Sequence, residues 1–196
     1  TMMLETLPHV TRRRTKRVSS WDCSGRNADA WSIAPGERRV LADLRGPGCI
    51  RHIWMTQRRN YRECLVSMTW DGAAAPSVLC PLGDFFGLGH GIVNSYQSLL
   101  FTASTRHNNR FNEGCALNCY APMPFAERAV IELIHEGSEN HGQYFYIDYE
   151  EWDQPCAGAG YFHAEFRREN PFGGWGHEIR VNTPEANIPN RERLAW

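Results

Sequence analysis

An all-β sandwich or barrel is the fold the sequence predicts, and three observations predict it. Apolar and polar residues alternate at period two through the middle of the chain, Gly, Pro, Asn or Asp fills nearly every gap between these stretches, and hardly any stretch keeps helical spacing. About nine short strands of this kind need two facing sheets or a closed barrel to hide their apolar sides.

The first strands are expected at residues 39–44 and 49–56. In the second of these, Ile50, His52 and Trp54 fall on one face and Arg51, Ile53 and Met55 on the other. That parity favours Trp54 as a core ring, with a sugar platform as its second reading. Within residues 62–70, Cys64, Val66, Met68 and Trp70 share a face, and the turn pair Asp71-Gly72 ends the strand. Residues 77–80, 95–102, 115–120 and 129–135 follow as strands. Phe145, Ile147 and Tyr149 then point one way and Tyr144, Tyr146, Asp148 and Glu150 the other, a half-buried antiparallel pattern. Residues 161–168 close the series. Only residues 106–113, polar and Asn-rich, read as a helical turn or loop.

Composition excludes several classes of function. The 196 residues are 42% hydrophobic, enough for one ordinary core, and 21 Lys and Arg against 22 Asp and Glu leave a net charge of -1. No overall basic field exists to gather nucleic acid or an anionic membrane. No apolar run approaches the roughly 20 residues that cross a bilayer, and Thr1-Met2-Met3-Leu4-Glu5 has no secretory pattern. The seven cysteines, at 23, 49, 64, 80, 115, 119 and 156, include no Cys-x-x-Cys pair, and no Asn-x-Ser/Thr site occurs. Reduced, packed thiols and a cytoplasmic location are expected. Histidines are scattered without metal-ligand spacing, so neither a metal nor a cofactor is expected.

Three segments are expected: a basic N-terminal arm over residues 1–18, a β-sandwich domain over 19–169, and an extended connector over 170–196. The arm carries Arg12, Arg13, Arg14, Lys16 and Arg17, read as a solvated tail or as an arm lying on a neighbouring subunit. The connector is rich in Gly, Pro and Asn.

Several motifs invite chemistry. Asp148 and Glu150 share a strand face roughly 6.5 Å apart, but side by side on one surface they read as a solvated face before a catalytic pair. His163 and Glu165 share a face within Tyr161-Phe162-His163-Ala164-Glu165. Gly83 to Gly91, with Asp84-Phe85-Phe86-Gly87 inside it, lacks a following Lys-Ser/Thr and reads as a tight loop with buried rings, Asp84 tying amides or facing a pocket. The segment from Ser19 to Asp29 sets Trp21 beside Asp22 and Asn27, residue types that stack on sugars and bond their hydroxyls, although turn-making explains the same composition.

Together Ser19-Ser20-Trp21-Asp22, Cys49-Ile50-Arg51-His52-Ile53-Trp54, Asp84-Phe85-Phe86-Gly87 and Tyr161-Phe162-His163-Ala164-Glu165 stand in an order that resembles the N-terminal part of glycoside hydrolase family 172, also catalogued as domain-of-unknown-function family 2961. Asn118, Tyr120 and Pro122-Met123-Pro124-Phe125 add a further family-like segment. The resemblance implies a jelly-roll fold, action on furanosides such as fructofuranose or arabinofuranose linkages, and assembly as trimers or hexamers. It implies substrate-binding roles for Asp22, Asn27, Trp54, Asp84, His163 and Glu165. Cys23 stands where the family carries Arg. The acidic pair of the family belongs to a second jelly roll, so the catalytic residues are expected outside this chain, on a second polypeptide. The expected function is therefore the first half of a furanosidase, with a non-catalytic sugar-binding or scaffold module as the alternative.

Overall fold

Side-chain alternation builds two facing sheets in the computed structural model, which describes residues 13–167. The expected connector over 170–196 and residues 1–12 of the arm lie outside the described residues. In chain order the first strands are β1 (Arg14–Ser19), β2 (Trp31–Ile33), β3 (Arg38–Arg45), β4 (Gly48–Gln57), β5 (Cys64–Trp70) and β6 (Val78–Pro81), followed by the single helical turn α1 (Leu82–Phe85). Next come β7 (Ile92–Val93), β8 (Tyr96–Gln97), β9 (Phe101–Ser104), β10 (Arg110–Phe111), β11 (Cys115–Cys119) and β12 (Met123–Phe125). The last are β13 (Arg128–His135), β14 (His141–Glu151) and β15 (Ala164–Glu165).

The larger sheet runs β1-β14-β4-β11-β9-β8, with β12 also on β4 and β2 also on β14. The smaller runs β15-β6-β5-β13-β3, and β7 pairs β10 in a separate ribbon. Ile53, Met55, Leu117, Phe145 and Ile147 from the first sheet meet Val66, Met68, Trp70, Ile131 and Leu133 from the second in one buried cluster. This is a β-sandwich, as the alternation predicts, of the jelly-roll type that the family resemblance implies.

β5 and β14 obey period two: Cys64, Val66, Met68 and Trp70 are buried, as are Phe145, Ile147 and Tyr149. β4 does not. Its register against β14 slips, Asp148 opposing His52 while Tyr149 opposes Ile50, so Arg51 is an extra residue. This bulge puts Ile50, Ile53 and Met55 all in the core and turns His52 and Trp54 outward. The expectation of Trp54 as a core ring is thereby corrected.

Other elements differ from expectation for local reasons. Residues 95–102 fold back at Ser98, whose hydroxyl bonds Phe101, and split into β8 and β9. Residues 106–113 contribute β10 rather than only a loop. Of the expected strand 161–168, residues 161–167 are described, and among them only Ala164 and Glu165 pair, parallel to β6, while Trp70 Nε1 bonds the Phe162 carbonyl at 2.8 Å and Tyr161 bonds Asp71 at 2.6 Å. Side-chain anchors take the place of a ladder there.

The basic run is not a solvated tail. Residues Arg14–Ser19 form β1, an edge strand antiparallel to β14, in which Lys16 and Arg14 reach Glu151 and Arg17 reaches Asp148. Exposed ion pairs contribute about 0–1 kcal/mol each. The backbone ladder therefore attaches β1, and the charges fix its register.

Phe125 on β12 fills the sandwich end and leaves no room at Gly48. A Cβ there would lie 2.5 Å from the Glu150 carbonyl and 2.8 Å from the Phe125 ring. Gly48→Ala is expected to destabilise the fold by about 1–3 kcal/mol, whereas Gly89→Ala, with nothing within 4 Å, should stay within about 0.5 kcal/mol. Urea denaturation of the two variants checks the difference.

Candidate functional site

The outward face of the larger sheet carries a continuous polar and aromatic surface. Register sets Tyr144 opposite Thr56, Tyr146 opposite Trp54 and Asp148 opposite His52, with Asn118 and Ala116 on the other side of β4. Trp54 and Tyr146 stack at 4.6 Å between ring centroids, and His52 stacks on Tyr120 at 4.7 Å. The Arg17 guanidinium lies 4.7 Å above the Tyr146 ring.

Hydrogen bonds tie these rings into a row. Arg17 donates through two nitrogens to Asp148, at 2.5 and 2.9 Å. His52 sets Nδ1 at 3.2 Å from Asp148 and Nε2 at 3.0 Å from Asn118, and Asn118 donates to Thr102 at 3.1 Å. Asp148 is thus committed twice. The Arg17 hydrogen bond, aided by His52, holds its carboxyl below the usual carboxylate range despite partial burial. Glu150, two residues on, takes Arg13 at 3.2 Å, Arg51 at 3.7 Å and Trp152 Nε1 at 3.0 Å.

At one end this surface runs into a cleft of about 840 Å³. Thr56, Ala116 and Tyr144 belong to both, and residues 57–59, 104–107 and 113–115 complete the wall with His141 and Gly142. Glu113 is the single carboxyl group lining it among the described residues. Within that wall, burial lowers the His141 pKa, and the ring is bonded to Gln143 at 3.1 Å.

The residues expected at the site occupy three separate places. Trp54 lies on the face just described. Asp22 shapes its own loop: its carboxylate accepts from the amides of Ser24, Arg26 and Ala28 and from the Ser24 hydroxyl at 2.6 Å, and Ser24 first of all lowers its pKa. Asn27 sits in that loop at φ 61°, a left-handed conformation asparagine tolerates. Asp84, on α1, pairs with Arg62 at 2.6 Å instead of tying amides, and burial raises its pKa against the pull of that cation. The Arg62 guanidinium also covers Phe166, so Asp84 neighbours the segment that holds His163 and Glu165, both exposed. Among the described residues no group of three or more His, Cys, Asp or Glu side chains assembles for a metal ion.

The thiols are free, five of them buried, and burial pushes Cys64 and Cys119 up to about 12. The five buried thiols are packing groups, not nucleophiles.

A family model described as GH172 domain-like matches residues 25–147, most of the sandwich. The chain belongs to this family. Comparison with curated proteins gives no match. The GH172-like stretch spans the whole outward face of β4, β9 and β11 and the cleft, and it ends within β14 at Ile147. Residues that sequence reasoning did not propose for the site, His52, Tyr146, Gln57, Arg58 and Arg106, all lie inside it.

Asp148 supplies a pH test. Its folded pKa is depressed, so the stability it contributes is present above its unfolded pKa, about 4, and is lost as pH falls through the lower folded value. Asp148→Asn is expected to be less stable at pH 7 and to lose less between pH 5 and pH 2 than the parent chain. Urea midpoints at the three pH values check this, and an unchanged acid slope would contradict it.

Proposed function

We propose that this GH172-like sandwich is the sugar-holding half of a furanosidase-type glycoside hydrolase, and that the two catalytic carboxyl groups come from outside these 196 residues. The observation that carries this reading is an imbalance on the outward face. It offers stacked rings and a hydrogen-bonding row suited to a hydroxylated ring, with a cleft at the end. Its carboxylates are already committed.

Glycoside hydrolysis ordinarily uses two carboxyl groups flanking one bond, one of them holding a proton at working pH. Asp148 is held ionised by Arg17, Glu150 is bound by Arg13 and Arg51, and the cleft wall has Glu113 alone. A carboxylate clamped by a guanidinium is a poor proton donor. The missing pair would be carried by a second jelly roll, in the same trimeric or hexameric assembly or on a partner polypeptide. Leu99 and Leu100, exposed at the β8–β9 turn where the Leu100 carbonyl accepts from the Tyr120 amide, give such a neighbour an apolar edge to cover. A reducing, cytoplasmic setting is proposed on the free thiols.

A non-catalytic sugar-binding module is the second reading, favoured by the same committed carboxylates. Co-purification separates the two, since only a split hydrolase brings a second polypeptide bearing an acidic pair. For either, calorimetric titration of the chain with fructofuranoside or arabinofuranoside oligosaccharides is expected to show binding without turnover. Trp54→Ala should weaken that binding about tenfold or more while the fold survives, because the lost ring stack contributes only about 0.5–1.5 kcal/mol to stability. Turnover by the lone chain that Glu113→Gln abolishes would overturn the proposal.

A further inference from the structure

The cleft at the end of the outward face has a charge pattern that a neutral sugar does not use. Arg58, Arg59 and Arg106 line it against the single carboxyl of Glu113. Elsewhere most arginines find carboxylates: Arg13, Arg14, Arg17, Arg38, Arg39, Arg45, Arg51, Arg62 and Arg128 are ion-paired, while Arg26 and Arg110, outside the cleft, are in no ion pair with the described residues. Arg59 is paired as well, with Glu139 at 2.8 Å. Arg58 and Arg106 have no carboxylate partner among the described residues, and the two arrive at one wall from opposite ends of a long stretch of sequence. The stem of Arg58 is seated, since a Cβ at Gly114 would rest 3.8 Å from its Cγ.

A second, independent observation lies in the wall between them. Gln57 is 4% exposed and lines the cleft, and its amide nitrogen is spent on the Arg59 carbonyl at 2.8 Å. Its Oε1 is buried and accepts no hydrogen bond from the described residues. A buried acceptor without a donor is costly and calls for one. A carboxylate or a fully ionised phosphate ester cannot supply it, because these groups only accept; the hydroxyl groups of a sugar can. The guanidinium pair calls for the opposite, an oxyanion held through charge-assisted bonds.

One ligand chemistry answers both demands. We propose that this cleft binds a sugar bearing an oxyanion, a uronate carboxylate or a sugar phosphate, with a ring hydroxyl donating to Gln57 Oε1 and the anionic group held by Arg58 and Arg106. His107 stands on the same wall and gives the anion a further donor. The inference rests on the reading of the outward face as a sugar surface, which Thr56, Ala116 and Tyr144 join to the cleft. It adds a charge requirement that this reading does not contain.

Calorimetric titration of the 196-residue chain with glucuronate, glucose 6-phosphate, methyl glucoside and inorganic phosphate tests it, at low and at moderate salt. Either anionic sugar is expected to bind at least tenfold tighter than methyl glucoside and than inorganic phosphate, and more weakly as salt rises; the tighter of the two identifies the source of the oxyanion. The double variant Arg58→Gln/Arg106→Gln, altered only at exposed side chains, should lose that advantage while its circular dichroism matches the parent. Gln57→Leu should lose selectivity over inorganic phosphate. Anionic sugars binding no better than the neutral one, or equally well to the double variant, would overturn the proposal, as would inorganic phosphate binding as tightly as the sugar acids. Furanoside binding lost in Trp54→Ala alongside any of these failures leaves the sugar surface standing and removes the anion subsite alone.

Discussion

One extra residue, Arg51 in β4, sets which side chains this protein hides and which it shows. β4 is the strand on which β11, β12 and β14 all pair, so a change of parity there passes into the whole larger sheet. Regular alternation would put either Ile50 or Ile53 in water. The bulge avoids that: both isoleucines and Met55 reach the core, and His52 and Trp54 turn out together beside Asp148, Tyr146 and Asn118. Stability and the candidate surface share this single irregularity.

Charge is distributed along the same face in two regimes. At the β1 end, Arg13, Arg14, Lys16 and Arg17 meet Glu150, Glu151 and Asp148, and the surface is neutralised by its own pairs. Toward the cleft the carboxylates run out while guanidinium groups continue. The first regime orders an edge strand and fixes the orientation of His52. The second leaves cationic groups whose hydration alone balances them, which is where a ligand of opposite sign gains most. Neither regime, among the described residues, presents two free carboxyl groups facing one another, which is the ground for the proposal that a catalytic pair comes from a partner surface.

Much of the fold was legible because most strands are regular. In β14 the buried set follows from period two with no other information, and in β5 the same rule gives Cys64, Val66, Met68 and Trp70, with Ser67 buried besides. The facing of Trp54 was not legible, because a bulge is a two-against-one mismatch that exists only once the partner strand is known. Asp22 and Asn27 had the right chemistry for a sugar, yet the loop they occupy uses the Asp22 carboxylate to close itself. For Asp84 the sequence offered an amide tie or a pocket-facing carboxylate, and its partner Arg62 was not legible because it lies 22 positions away. Arg58 and Arg106 carry no local signal at all; only the pairing of β4 with β11, and of β11 with β9, brings their loops together.

The central claim is that β4 turns Trp54 and His52 outward into a ligand surface while Met55 stays in the core. Hydroxyl-radical footprinting of the native chain reads this at adjacent residues by mass spectrometry. Oxidation of Trp54 at a rate comparable with Tyr146, with Met55 protected despite its greater intrinsic reactivity, is the predicted result. A protected Trp54, or a readily oxidised Met55, would contradict it.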